Sequence, residues 1–424
     1  MTVRAADDLR NFVDASPTQF HAVHNAATRL LDAGFELFDP AQAHEPGARL
    51  VVADGALVAW VDGVRPDGDM RLIGAHTDSP NLRIRPRPDM SVAGFRQLGV
   101  EVYGGALLNS WLDRDLGLAG RVIVQGDEGL EPRLFRTERP VLRVPQLAIH
   151  LDREISEKGL LLNKQQHLMP VWGLGPAVDG DFRNWLADQI GVRPTEVRGW
   201  DVACFDHQPA ALLGADQELL AAPRLDNLCS SFGAVEALIA AKWAGGVTSP
   251  AVIVLFDHEE VGSTSATGAD STWLARVLER RALALGLDRP AWLGSLERAW
   301  LLSADMAHGT HPNYPERHEP RHWVRLGGGP VIKHNENARY ATDGQGAAMF
   351  RDTCAAAGVP VQEYSHRGDL PCGSTIGPLA AAQLAVRTVD VGMAQLSMHS
   401  IRELMAVEDV AAMVAAFTAW LAPR

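Results

Sequence analysis

The chain has 424 residues, 46% hydrophobic and 21% charged, a composition that supports a large core and excludes disorder over most of the length. A net charge of −13 leaves no excess of cations to meet phosphates, which excludes nucleic acid and anionic membrane as partners. No apolar run approaches the ~20 residues that span a bilayer, and the first residues lack the apolar core of a secretory signal, so a cytoplasmic protein of two or three units is expected.

The first residues read as helices. Ser16–Gln19 has the pattern of a capping box with proline at the first helical position, and Gly34 is a natural stop. Two β-rich runs follow, residues 50–53 and 56–61, joined by Asp54-Gly55, a strong hairpin signal. A short buried strand over residues 71–75 runs directly into His76. From about residue 82 to residue 222 short β-like segments alternate with turns, at 99–103, 120–125, 141–144 and 147–149, with little helical periodicity until 182–190. After Pro223 helix and strand alternate again. Strands are expected at 251–256, 299–302, 329–332 and 388–391, and helices at 226–243, 271–287, 346–357, 376–385 and 407–421. Such alternation implies a mainly parallel sheet sandwiched by helices. The expected architecture is an α/β domain made from residues 1–85 and 220–424, interrupted by a β-rich insertion over 86–219.

Active sites in open α/β sheets lie at the carboxyl ends of strands. The polar residues placed there are His76 and Asp78, Asp257 to Glu260, Asp305 with His308 and His311, and His399; Asp226 opens a helix. Imidazoles and carboxylates at five separate element ends suit a two-metal site, in which one carboxylate bridges and others ligate from each side. Glu259-Glu260 carries the most information. Two acids after a buried strand repel each other, and a metal relieves this if one ligates while the other takes a proton from an activated water.

Other motifs fail on context. His318-Glu319-Pro320-Arg321-His322 spells HExxH, but Pro320 inside it forbids the continuous helix that the motif needs. Gly373–Gly377 mimics a nucleophile elbow with Thr375 in place of serine, and reads instead as a glycine-rich turn into a helix. Gly173-Leu174-Gly175 lacks the third glycine of a dinucleotide site. The four cysteines, Cys204, Cys229, Cys354 and Cys372, form no CxxC pair and read as reduced thiols. Only four residues are lysine, which draws attention to Lys333 behind a strand.

Taken together, Gly74–Pro80 (GAHTDSP), Pro223–Asn227 (PRLDN), Asp257–Ser263 (DHEEVGS), Ser303–His308 (SADMAH), His311–Tyr314 (HPNY), Cys372–Pro378 (CGSTIGP) and Met398–Ser400 (MHS) resemble the aspartyl aminopeptidase family of dinuclear metallopeptidases. The resemblance implies a proteolytic α/β domain with a β-rich dimerisation domain, assembled into a tetrahedral dodecamer. It implies removal of one N-terminal residue at a time from short peptides, with Asp and Glu preferred. His76 and Glu260 would be terminal ligands to two different zinc ions, Asp226 would bridge them, and Asp305 and His399 would complete the set. Manganese or cobalt would fit one of the two positions. Asp78 would orient His76, and Glu259 would be the general base. His311, Lys333 and Tyr340 match substrate-pocket positions. His150 matches a motif histidine that reaches a neighbouring subunit's pocket or, in a second reading, ligates metal. His258 stands where the family places a small polar residue, often asparagine. The competing functions are a di-metal carboxypeptidase or deacylase with the same ligands, and a metal-bearing scaffold without catalysis.

Overall fold

The computed structural model describes residues 2–39, 41–243 and 247–423. They fold as two compact units, one built from Met1–Asp78, Ala210–Met398 and Glu403–Arg424, the other from Ser79–Pro209 and His399–Arg402. The chain therefore passes between units earlier than residues 85 and 219, and four residues from the C-terminal half join the second unit.

The first unit is α/β. Its nine-stranded sheet runs in the order Glu36–Leu37, Ala48–Ala53, Ala56–Val61, Ala251–Phe256, Arg71–His76, Trp300–Ala304, Arg387–Gly392, Val331–His334, Gln362–Ser365. The four strands from Ala251–Phe256 to Arg387–Gly392 are mutually parallel, whereas Val331–His334 and the hairpin Ala48–Ala53/Ala56–Val61 add antiparallel pairings. The apolar run Ala251–Phe256 shows why the parallel centre forms. Ala251, Ile253 and Leu255 pack into one core with the helices Thr2–Ala15, Gln19–Asp32, Leu225–Trp243, Gly344–Ala357 and Val407–Leu421. Val252, Val254 and Phe256 point the other way, into a core with Trp273–Ala284, Arg289–Arg298 and Ile376–Leu384. A strand covered on both faces needs a continuous apolar run rather than an alternating one, and each Val, Ile or Leu contributes about 1.5–3 kcal/mol by leaving water. A second, five-stranded sheet runs Ala211–Leu213, Leu219–Ala222, Glu403–Ala406, Ala394–Leu396, Ala307–His308.

The second unit is a six-stranded antiparallel sheet in the order Gly129–Arg136, Leu116–Gly126, Val197–Asp206, Asn81–Val92, Phe95–Tyr103, Val171–Leu174. The helix Asp181–Ile190 lays Phe182, Leu186 and Ala187 on its core, with Phe182 5.3 Å from the Trp200 ring.

Two local expectations need correction. The second helix starts at Gln19, not at Pro17; Thr18 rather than Ser16 is its N-cap, and the Thr18 hydroxyl pairs with His21 Nδ1 at 2.8 Å instead of a backbone amide. Residues 147–149 form no strand; Ile149–Leu151 is an exposed single turn. The HExxH segment is not helical, as Pro320 inside it requires: a turn at Pro315–Arg317 precedes it, and His322 pairs with Glu319 across 2.5 Å. Among the described residues no helix is long and apolar enough to cross a membrane.

Candidate metal centre

The parallel register brings three strand ends side by side. Phe256 pairs with His76, and Ser303 pairs with Gly74, so the residues after these strands enter one space. His76 is the last residue of its strand and is 1% exposed. Its Nδ1 donates to the Asp78 carbonyl at 3.0 Å, so that Nε2 is the nitrogen that carries the lone pair whenever the ring is neutral. That nitrogen lies 3.3 Å from Asp226 Oδ1, 3.6 Å from Asp305 Oδ1 and 4.0 Å from Glu259 Oε2.

Each acid is held from behind. Asp226 opens the segment Leu225–Trp243 in non-helical geometry, and its N–H donates to Glu403 Oε2 at 2.9 Å. Asp305 donates its N–H to the Val391 carbonyl at 2.9 Å. A Cβ at Gly392 would stand 1.8 Å from the Asp305 carbonyl oxygen, so only glycine lets the two strands approach here. Lys333, 2% exposed, donates to the carbonyls of Asp305 and Met306 at 2.9 and 3.2 Å, and its Nζ is 3.8 Å from Asp305 Oδ2. Asp78 touches His76 and also accepts the amides of Glu259 and Glu260, each at 3.1 Å. One buried carboxylate thus orients the imidazole and fixes the turn that presents both glutamates. Ser231 adds a hydroxyl on the His76 carbonyl at 2.7 Å.

The electrostatics are those of a cation site. Burial alone would lower the His76 pKa, but Asp226, Asp305, Asp78 and Glu259 hold it well above its ordinary value. Burial pushes the Glu259 carboxyl up to about 8; the His76 charge opposes this, and Asp305, Asp78 and Asp226 reinforce it. Several acids converge on one imidazole nitrogen in a low-dielectric space, which is costly unless a cation enters. The ligand atoms of His76, Asp226 and Asp305 lie within 4.8 Å of one another, and so do those of His76, Glu259 and Glu260. Nitrogen and oxygen donors at this spacing fit zinc.

The remaining expected residues fall as follows. His399 belongs to the second unit, where its Nδ1 donates to the Gly105 carbonyl at 3.2 Å. His150 is exposed in the turn Ile149–Leu151, and no metal-capable group among the described residues includes it. His311 packs its ring 5.0 Å from Tyr314. Tyr340 is buried with its ring 5.2 Å from Lys333 Nζ. His258 has φ of 64°, the left-handed region that asparagine tolerates best, and Ser265 Oγ lies 3.0 Å from its ring. Sequence reasoning missed Glu403 and the buried Asp390. An acid inside the apolar run 388–391 was a usable signal for Asp390; nothing in sequence linked Glu403 to Asp226.

Residues 12–421 match the aminopeptidase I zinc metalloprotease (M18) family. The chain belongs to that family. It is a zinc metallo-aminopeptidase. It is 49% identical to a probable M18 family aminopeptidase 2 of Streptomyces coelicolor, over 98% of this chain and 97% of that one. Among solved structures it resembles a chain of the cryo-EM Ape4 and Nbr1 complex, with a TM-score of 0.94 and 36% identity over 99% of this chain and 86% of the other. It also resembles the S. cerevisiae mApe1 dodecamer, with a TM-score of 0.83 and 28% identity over 97% and 95%.

Proposed function

We propose that this aminopeptidase holds two zinc ions per subunit, uses Glu259 as its general base and prefers N-terminal Asp or Glu. His76, Asp226, Glu260, Asp305 and His399 would hold the metals, with Asp226 between them. The observation that carries this reading is the approach of His76 Nε2 to Asp226 and Asp305 within 3.6 Å, with Glu259 beside them. When bound, zinc supplies Lewis-acid polarisation of the scissile carbonyl and brings the pKa of a water toward ~7.

The chain's own residues do the rest. Asp78 keeps the His76 lone pair aimed inward and holds the turn from which Glu259 projects. Glu259 Oε2 takes the proton of the attacking water and returns it to the leaving amine, a role suited to a carboxyl raised by burial. Lys333 fixes Asp305 by its two carbonyl contacts. The acidic preference rests on the ammonium of Lys333, which a substrate carboxylate would meet, with His311 and Tyr340 lining the substrate pocket. His150, exposed beside Leu147, Ile149 and Leu151, suits insertion into a second copy of the chain, and a homo-oligomer such as a tetrahedral dodecamer is the assembly this predicts.

The test is a panel of Asp, Glu and Leu substrates with free and acetylated amino ends. The acidic substrates should exceed leucine in kcat/KM by about tenfold, ~1.4 kcal/mol, and acetylation should abolish turnover. Leucine turned over as well as aspartate would remove the acidic preference.

A further inference from the structure

Asp390 sits between Val389 and Val391 in the strand Arg387–Gly392 and is wholly buried. A carboxylate there is expensive unless donors meet it. Burial raises its pKa, while the Lys333 charge and the donors around it pull the other way. Those donors come from three segments. Ser303 Oγ, on the neighbouring strand, and Thr375 Oγ1 both donate to Oδ1 at 2.6 Å. The Ala341 N–H donates to Oδ2 at 2.6 Å. The Asp390 N–H adds a bond to Thr342 Oγ1 at 2.9 Å.

One of these segments carries a residue of the proposed pocket, and a second is tied to it. Ala341 follows Tyr340 directly. Thr375 is the N-cap of the helix Ile376–Leu384 and closes the glycine-rich turn that begins at Cys372. The two segments also meet each other, since Ser374 Oγ donates to the Arg339 carbonyl at 3.2 Å, and Cys372 packs against the cluster that includes Tyr340. Gly377 makes the close approach feasible: a Cβ there would stand 2.3 Å from Asp390 Oδ2. A bulkier residue would push the helix entry off the carboxylate. Both segments are loops, and a loop has no ladder of its own to hold a side chain in place. Asp390 fastens them to a strand that is hydrogen-bonded to a neighbour on both sides.

We propose that Asp390 is a positioning residue for substrate binding, whose carboxylate holds the Tyr340 loop and the 372–375 turn in the shape that receives the N-terminal side chain. This rests on the reading of Tyr340 as a pocket residue. It predicts an effect on binding that a purely structural acid would not produce.

Asp390→Asn keeps the size but replaces one acceptor by an NH2, so one set of donors loses its partner. In the zinc-loaded enzyme, KM for the aspartyl substrate should rise about tenfold, ~1.4 kcal/mol, with kcat within about threefold of the parent and zinc content equal to the parent by elemental analysis. Thr375→Val should raise KM in the same direction, and Thr375→Ser, which keeps the hydroxyl, should restore it. If Asp390→Asn does not fold, the threonine pair decides. Placed on Tyr340→Ala, which should raise KM alone, Asp390→Asn or Thr375→Val should add less than about twofold because both act through the same residue. Folded Asp390→Asn or Thr375→Val with parental KM and only a lower melting temperature would overturn the proposal. A parental KM in Tyr340→Ala, which leaves the Asp390 network intact, would overturn the pocket reading and the proposal with it. Fully additive effects would show that Asp390 does not act through Tyr340.

Discussion

Two groups of buried acids lie in the same α/β unit, and they are solved differently. Asp390 and Asp409 are both 0% exposed. Asp390 accepts two hydroxyls and an amide, and Asp409 accepts the amides of Gly327 and Gly329 at 2.8 and 2.9 Å. At the strand ends, Asp226, Asp305 and Glu259 instead face one imidazole nitrogen and each other. The first group is met by protein donors and organises loops. The second is an arrangement of acceptors that asks for a cation. Burial of a carboxylate therefore does not mark a metal site; the nature of what faces it does.

The largest expected effect breaks the comparison at its catalytic end. Glu259→Gln should cut kcat by about 10²–10⁴-fold with zinc retained by elemental analysis. A zinc-loaded variant with parental kcat would falsify the general-base role.

The next effect is pH dependence. In the metal-free fold His76 holds its proton well above its ordinary value, and Glu259 titrates at about 8 instead of 4.5. The folded state thus binds more protons than the unfolded chain. The stability gained from His76 is complete below its unfolded pKa of ~6.5 and is lost as pH rises through the folded value; the Glu259 penalty is absent at low pH and grows up to about 8. Metal-free protein should lose stability as pH rises from about 5 to 8. Zinc must displace these protons, so its affinity should climb by about tenfold per pH unit for each proton released. A competition titration with a zinc chelator at three pH values reads this out, and a flat profile would count against His76 as a ligand.

The smallest functional effect belongs to the donor-satisfied group. Asp409→Asn leaves at least one glycine amide poorly met and should cost about 1–3 kcal/mol in denaturant unfolding. Zinc content, kcat and KM should stay at parental levels. Zinc loss in a folded Asp409→Asn would blur the distinction between the two groups.

Much of the proteolytic unit was legible because each of its signals is local. A strand buried on both faces writes a continuous apolar run, as at Ala251–Phe256, and a two-residue turn writes Asp-Gly. The polar residues after such runs, His76, Glu259 and Asp305, could be collected without knowing the sheet order. The second unit was harder to read. Its long strands Asn81–Val92 and Val197–Asp206 contain prolines or charges that interrupt alternation, and residues 147–149 have strand-like composition without a strand partner.

The amino-acid sequence by itself determined which residue types were available for metal chemistry, and it excluded the HExxH segment by placing Pro320 inside it. Tertiary structure alone decided their partners. Asp78 became the acceptor for both glutamate amides, Glu403 the acceptor behind Asp226, and Lys333 a buried donor to the backbone of Asp305 and Met306. These contacts join residues up to 182 positions apart. Hydrogen bonding depends on distances of a few ångströms, set by strand order and register, and neither propensity nor spacing along the chain encodes those distances.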